Sequence, residues 1–250
     1  MSALASRIEA QGSATTTIGL VRPHMEQSHP PRGLWVPFQL GRPLGEPEDK
    51  AFQRRVLFQA LALLERTDGA PVILDDFPDD PPSWRDRGGW QPAIVLSRRT
   101  RPAATDATAW AEALGGELVE VLPAWEKSKA RFGRTMVGLY GLSPQAWPPF
   151  AAQFLTGEIP VSPVAHLTPA LAVRHIADDL KALYTEAIQA EGAQPSSRQI
   201  NAWFWGSGPG KGTIAADFLR ALRTAALTSS DNGFKAFGGR FLVPGPYVGT

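Results

Sequence analysis

Near the start of the chain lies the run Thr15-Thr16-Thr17-Ile18-Gly19-Leu20, whose β-branched residues predict a strand. A short helix over residues 2–10 is predicted before it, and further short strands are predicted at 34–38, 72–74 and 93–96. Since these apolar strands are short and follow helical segments, we expect an α/β fold. Its N-terminal part is predicted to be a Rossmann-like parallel sheet.

The helical pattern is clearest over residues 48–66, where apolar residues recur at helical spacing behind an acidic start. The segment 22–32 is polar and proline-rich, and we expect it to be a connector. Helices are predicted later in the chain at 106–114, 124–132, 143–157, 169–191, 196–205, 213–228 and 231–237. We therefore expect an α/β domain over residues 1–105 and a mainly α-helical domain over residues 106–250.

The composition narrows the classes of function. The 250 residues include 25 Lys and Arg against 24 Asp and Glu, so no surplus of positive charge is present to hold a nucleic acid. The absence of Cys excludes disulfides, thiolate metal sites and a thiol nucleophile, and the four His lack metal-binding spacing. The charged N-terminus and the lack of a long apolar stretch predict a cytoplasmic protein with no membrane segment.

The most reactive-looking residues are Arg22, His24 and Glu26, directly after the first predicted strand. Ligand and catalytic groups of α/β sheets gather where strands end, because side chains there face an open crevice. We expect His24 and Glu26 to be catalytic, as a general base oriented by a carboxylate, and Arg22 to bind a substrate carboxylate. The alternative is a solvated loop whose charges pair with each other.

Two further residues are predicted to bind substrate. Arg42 lies between Gly41 and Pro43, a rigid turn that suits an anion-binding side chain but also suits a structural arginine. Trp35 either lines the same crevice or covers a sheet edge.

Trp203 and Trp205 are predicted to contact a partner protein. Together with Phe204 they form a run that cannot face a single core, so at least one ring is expected at an interface. Burial against another helix is the alternative.

The glycine-rich segment 206–213 invites comparison with a phosphate-binding P-loop, but the pattern differs in detail. Trp205 stands where the first glycine belongs, and Gly212 replaces the hydroxyl residue that would hold magnesium. The segment also follows a predicted helix rather than a strand. A turn between two helices is therefore expected there, and the basic run 98–101 is expected to be an exposed turn or a boundary.

Several segments together resemble the B subunits of the glycine, sarcosine, betaine and D-proline reductases, the selenoprotein B group. They are Ile8-Glu9-Ala10, Ile18-Gly19-Leu20-Val21-Arg22-x-His24-x-Glu26, Pro30-Pro31-Arg32, Val36-Pro37-Phe38, Gly41-Arg42-Pro43-Leu44-Gly45-x-Pro47 and Phe52-Gln53-Arg54-Arg55-Val56-Leu57. This resemblance is strongest over residues 5–66, about a quarter of the chain. The second half is similar to bacterial homologues in the same broad group.

Reductases of this family cleave a carbon–nitrogen bond with a selenocysteine or cysteine, often together with a pyruvoyl-bearing partner subunit. Because this sequence has no Cys, the resemblance implies that the thiol or selenol lies on a small Cys- or Sec-containing partner, or that reductive chemistry has been lost. No cofactor is expected in this chain, and no catalytic residue is carried over from the family.

We expect one subunit of a two-component reductase-like enzyme that acts on a small carboxylate-bearing amino compound. One alternative is a non-catalytic binding or assembly subunit. The other is a stand-alone cofactor-free hydrolase or lyase that uses His24 and Glu26.

Overall fold

A computed structural model describes the chain at residues 1–38, 41–45, 49–67, 72–79, 90–192, 195–208, 210–244 and 247, apart from the side chains of residues 239 and 240. The chain forms two compact units, an N-terminal unit of residues 1–85 and a C-terminal unit of residues 86–250. This limit lies before the position 105 predicted from the sequence. Residues 94–103 explain the difference, since Ile94 lies in the C-terminal core and the Ala103 carbonyl accepts a hydrogen bond from Trp110 Nε1 at 3.0 Å.

The N-terminal unit is built on a small parallel sheet, as predicted. Its strands are β1 (Thr17–Gly19), β2 (Arg32–Trp35) and β3 (Ile73–Asp76), in the order β1-β2-β3. In register, Thr17 lies opposite Gly33, and Arg32 lies opposite Ile73. The helices of this unit are α1 (Ser2–Glu9), α2 (Arg22–Ser28) and α3 (Lys50–Ala62). The carboxyl ends of all three strands therefore lie at one edge of the sheet.

Helix α2 overturns the prediction that residues 22–32 form a connector. Pro23 is compatible with a helix because it lies in the first turn, where its missing N–H has no intrahelical partner. Met25 is buried and packs close to Gly19 and Gly33, so burial of its side chain favours the helix. His29, with φ of 45°, ends the helix in the left-handed conformation.

Helix α3 lies within the predicted 48–66 segment, and a 3₁₀ turn at Leu63–Glu65 follows it. The Asp49 side chain caps it by accepting a hydrogen bond from the Phe52 amide at 3.1 Å. The buried face of α3 packs with the strands and with the rings of Phe38 and Phe77. This cluster is the core of the N-terminal unit.

The C-terminal unit is helical, as predicted. Its helices are α4 (Ala107–Phe132), α5 (Trp147–Ala151), α6 (Pro169–Ala187), α7 (Ser197–Trp205), α8 (Ile214–Thr228) and α9 (Asn232–Arg240), and 3₁₀ turns at Pro144–Ala146 and Ala152–Thr156 flank α5. The predicted strand at 93–96 is wrong, because this segment is irregular and Ile94 packs into the helical core. Within the described residues, no helix has the length and apolar character needed to cross a membrane.

Helix α4 is continuous where two helices were predicted. Gly115, Gly116 and Pro123 were expected to interrupt it, yet the helix runs through all three. An internal proline removes one backbone hydrogen bond. Burial of Trp110 and Trp125, on either side of these residues, offsets that cost, since each large ring removes a wide apolar surface from water.

Candidate functional site

Two predicted site residues, Arg22 and Trp35, lie close to Asp76 at the carboxyl edge of the N-terminal sheet. Arg22 begins α2 just after β1, Trp35 ends β2, and Asp76 ends β3. The Arg22 Nε atom lies 3.2 Å from Asp76 Oδ1, and Nη2 lies 3.2 Å from Oδ2. The Arg22 guanidinium carbon lies 5.9 Å from the centroid of the Trp35 ring. The sheet topology therefore gathers these groups, although they are far apart in sequence.

The charges of this cluster are largely compensated. Arg22 forms an ion pair with Glu26, one turn further along α2, as well as with Asp76. Hydrogen bonding to Asp76 raises the pKa of the Arg22 guanidinium. The three side chains remain 41–47% exposed, so water and salt screen their attraction. Arg22 is thus held in place by weak contacts that another anion can replace.

Trp35 adds a hydrogen-bond donor to the cluster. Its indole Nε1 atom is buried and has no hydrogen-bond partner among the described residues. Buried N–H groups are nearly always paired, because leaving one unpaired costs about 1–3 kcal/mol. This donor is the feature of the edge that most suggests a bound acceptor.

His24 and Glu26 were predicted to act together, but α2 separates them. Side chains two positions apart on a helix do not face each other. Glu26 pairs with Arg22 instead, and His24 is exposed, with no side-chain hydrogen bond to any described residue. The helix therefore gives the pair no contact through which Glu26 could orient the imidazole.

The other predicted residues lie in the turn after β2 and in the C-terminal unit. Arg42 is half-buried in the turn 41–45 that follows β2, and its carbonyl accepts a hydrogen bond from the Gly45 amide at 3.0 Å. Trp203 is half-buried, whereas Trp205 is 1% exposed and stacks on Tyr247 within the C-terminal unit. In this structure the Trp205 ring is enclosed by its own chain.

The C-terminal unit contains a cavity of about 360 Å³, in which sequence reasoning placed no site. It lies beside the turn that joins α7 to α8 and beside the irregular segment before α4. The residues that line it are Leu96, Ser97, Arg98, Arg99, Glu117, Gly210, Lys211, Gly212, Ile214 and Asp217. Two predicted features, the basic run and the glycine-rich turn, thus line the same cavity.

Glu117 is the buried acid of this cavity. Its carboxylate is 2% exposed and accepts hydrogen bonds from the Ile214 amide at 2.8 Å, the Ala215 amide at 3.0 Å and the Tyr184 hydroxyl at 2.6 Å. Burial raises the pKa of the Glu117 carboxyl, while these hydrogen bonds act in the opposite direction. In a P-loop the first amides of the helix bind phosphate, whereas here the protein's own carboxylate occupies the first amides of α8. The turn predicted between two helices is confirmed.

The cations of the cavity differ in their partners. Arg99 pairs with Glu120 at 2.6 Å, and hydrogen bonds from Arg99 and from the Ser97 amide lower the pKa of Glu120 to about 2. Arg98 and Lys211 are exposed, and neither side chain has a hydrogen-bond or ion-pair partner among the described residues.

Glu117 could have been noticed in the sequence as a charge on the apolar face of α4. Its partners could not, since they lie about a hundred residues further along the chain.

Searches with family models, curated proteins and solved structures found no match to this chain. Among the described residues, no group of three or more His, Asp or Glu side chains is arranged to hold a metal ion.

Proposed function

We propose that the N-terminal unit is a Rossmann-like module whose sheet edge binds a small carboxylate-bearing amino compound, as one subunit of a two-component reductase-like enzyme. The observation that carries this proposal is the unpaired Nε1 of Trp35, on an indole ring whose centroid lies 5.9 Å from the Arg22 guanidinium carbon. Two donors, one of them charged, suit the carboxylate of such a compound. Arg42, in the turn after β2, is proposed to assist as a second cation.

The acidic side chains of the edge suit the other end of the same substrate. A carboxylate that enters beside Arg22 would displace Asp76 or Glu26, and the displaced group would then be available to an ammonium. The face of the Trp35 ring also attracts a quaternary ammonium, so betaines fit as well as amino acids. In a reductase-like role, His24 is proposed to relay one proton of the reductant to the released amine.

The reductant is proposed to lie on a small partner protein with paired thiols or with a selenol and a thiol, since this sequence has no Cys. Reduction of the carbon–nitrogen bond takes two electrons and two protons. The two thiols supply both and become a disulfide, while one proton ends on the substrate carbon and the other on the amine. A pyruvoyl group on a further subunit would serve substrates with a primary amine.

Calorimetric titration of the purified chain with glycine, sarcosine, glycine betaine and D-proline tests the binding step. We expect one of these to bind, and Arg22→Gln and Trp35→Phe each to weaken it by about tenfold, as expected for one charge-assisted or buried hydrogen bond. Arg7→Gln, which removes an exposed cation of the same unit, is the matched control and should leave binding unchanged. Absence of binding for all four compounds would refute the proposed substrate class.

The partner step is tested by co-purification with the products of adjacent open reading frames, in search of a small protein with a C-x-x-C or U-x-x-C motif. Release of amine only when both proteins are present supports the two-component enzyme. Binding without any turnover would favour a non-catalytic subunit, and Trp203→Ala tests whether that ring contributes to assembly. Turnover by the isolated chain that is lost in His24→Ala would favour the stand-alone hydrolase or lyase.

A further inference from the structure

The cavity of the C-terminal unit has an unbalanced positive charge. The cavity has two acidic side chains. One of them, Asp217, pairs with Arg220 at 3.1 Å and also accepts a hydrogen bond from the Gly210 amide at 2.7 Å. Glu117 is buried, and its hydrogen-bond donors among the described residues are the Ile214 and Ala215 amides and the Tyr184 hydroxyl rather than a cation. Since Arg99 is neutralised by Glu120, the charges of Arg98 and Lys211 remain without a compensating anion among the described residues.

The shape of the cavity also favours a ligand. Its volume of about 360 Å³ lies within the range of small-molecule sites, about 300–1,000 Å³. The two unpaired cations come from different segments, the one before α4 and the turn before α8, and both line the cavity. Leu96 and Ile214 supply apolar surface, and the Gly212 amide has no hydrogen-bond partner among the described residues.

We propose that this cavity binds a small phosphate monoester, whose phosphate pairs with Arg98 and Lys211 and whose carbon group packs against Leu96 and Ile214. A phosphate monoester carries about −1.5 to −2 charges at pH 7, which matches two cations better than a single carboxylate does. The binding does not use the dipole of α8, because Glu117 already occupies the Ile214 and Ala215 amides. The site is therefore a pair of side-chain cations beside a turn, not a nucleotide-binding P-loop.

Titration of the full chain with phenyl phosphate, followed by calorimetry and by ³¹P NMR, tests this site. We expect a dissociation constant below about 1 mM at low salt and a weaker affinity as salt is added. Arg98→Gln and Lys211→Gln should each weaken binding by about tenfold or more, as for the loss of one charge-assisted hydrogen bond. Benzoate, with a single charge on the same ring, should bind more weakly than phenyl phosphate, and inorganic phosphate should bind more weakly because it lacks the ring.

Arg101→Gln and Lys235→Gln are the matched controls, because each removes one exposed cation outside the cavity. Equal weakening in all four variants would mean diffuse attraction to surface charge and would overturn the proposal, as would the absence of binding up to about 10 mM. A second measurement needs no variant. Acetylation of Lys211, followed by mass spectrometry, should slow when phenyl phosphate is present while that of Lys235 does not, and equal rates would count against the site.

Discussion

At the scale of single residues, Glu117 is expected to matter most for the stability of the C-terminal unit. Its carboxylate accepts hydrogen bonds from the Ile214 amide, the Ala215 amide and the Tyr184 hydroxyl. Glu117→Ala leaves these buried donors unpaired and should lower the free energy of unfolding by about 3 kcal/mol or more. Urea unfolding followed by circular dichroism measures this change. Glu112→Ala, at an exposed position of the same helix, should change it by less than about 0.5 kcal/mol.

The raised pKa of Glu117 also predicts how stability depends on pH. Below about pH 4.5 the carboxyl is protonated in both the folded and the unfolded chain, so its contribution is complete. As the pH rises toward the folded pKa, the unfolded chain loses this proton first, and the contribution declines. The stability of the wild type relative to Glu117→Gln should therefore fall as the pH rises above about 4.5. A difference that stays constant from pH 4.5 to 7.5 would contradict the shift.

Glu120 is expected to make the stability of the chain rise with pH, the opposite of Glu117, and to do so over a lower range of pH. Its pKa of about 2 lies below the ordinary value of 4.5, so its contribution is present above pH 4.5 and is lost as the pH falls toward 2. Glu120→Gln should destabilise the chain by up to about 1 kcal/mol near neutral pH, since the pair with Arg99 is partly exposed. Urea midpoints of the variant and the wild type should converge near pH 2. Persistent separation there would indicate a cause other than the ion pair.

The residues that form the cluster at the sheet edge were partly predictable from the sequence. Arg22, Glu26 and Trp35 could be anticipated because they follow or end short apolar strands, and strand ends are where parallel sheets place such groups. Asp76 was not singled out, because the sequence does not say which strands are neighbours. The pairing of His24 with Glu26 depended on a loop conformation, and the helical spacing of α2 does not support it.

At the scale of elements, the two glycines of α4 allow a matched comparison. Gly115 has open space where a Cβ would lie, so Gly115→Ala should stabilise the chain by about 0.5–1 kcal/mol through reduced freedom of the unfolded state. A Cβ on Gly116 would lie 3.3 Å from Arg99 Nε and would press on the side chain that pairs with Glu120. Gly116→Ala should therefore stabilise less than Gly115→Ala, or destabilise. Thermal unfolding of both variants measures the difference, and an equal gain would mean that Arg99 moves aside without cost.

Helices α2 and α4 show where local patterns stop predicting structure. The segment of α2 is short, polar and proline-rich, and its helix depends on Met25 packing between glycines of two strands. The break expected in α4 was based on helix propensity, which is a weak preference that tertiary packing overrides. In contrast, the helix predicted at 196–205 is present as α7, and the capping box of Ser196 and Gln199 at its start depends only on local contacts.

At the scale of the whole molecule, the order of an α/β part and a helical part was predictable from the change in hydrophobic periodicity along the chain. The limit between the units was not, because residues 93–96 have a strand-like sequence whereas Ile94 and Leu96 pack in the helical core. Ser97 illustrates this, since its amide donates to Glu120 of α4 at 2.8 Å. Such contacts depend on which surfaces remain uncovered after the helices have packed.

The division into two units predicts that residues 86–250 fold without the first 85 residues. Trp110 and Trp147 are buried in a core whose described members all belong to the C-terminal unit, as do the described residues that line the cavity. We therefore expect the 86–250 fragment to unfold cooperatively in urea, with the blue-shifted emission of buried tryptophan, and to bind phenyl phosphate within about twofold of the full chain. The 1–85 fragment should be less stable, because a domain of that length buries a smaller fraction of its surface.

A fragment 86–250 that gains helix but has no cooperative transition would show that its core needs the rest of the chain. A fragment that folds but does not bind would instead overturn the assignment of the phosphate site to this unit alone.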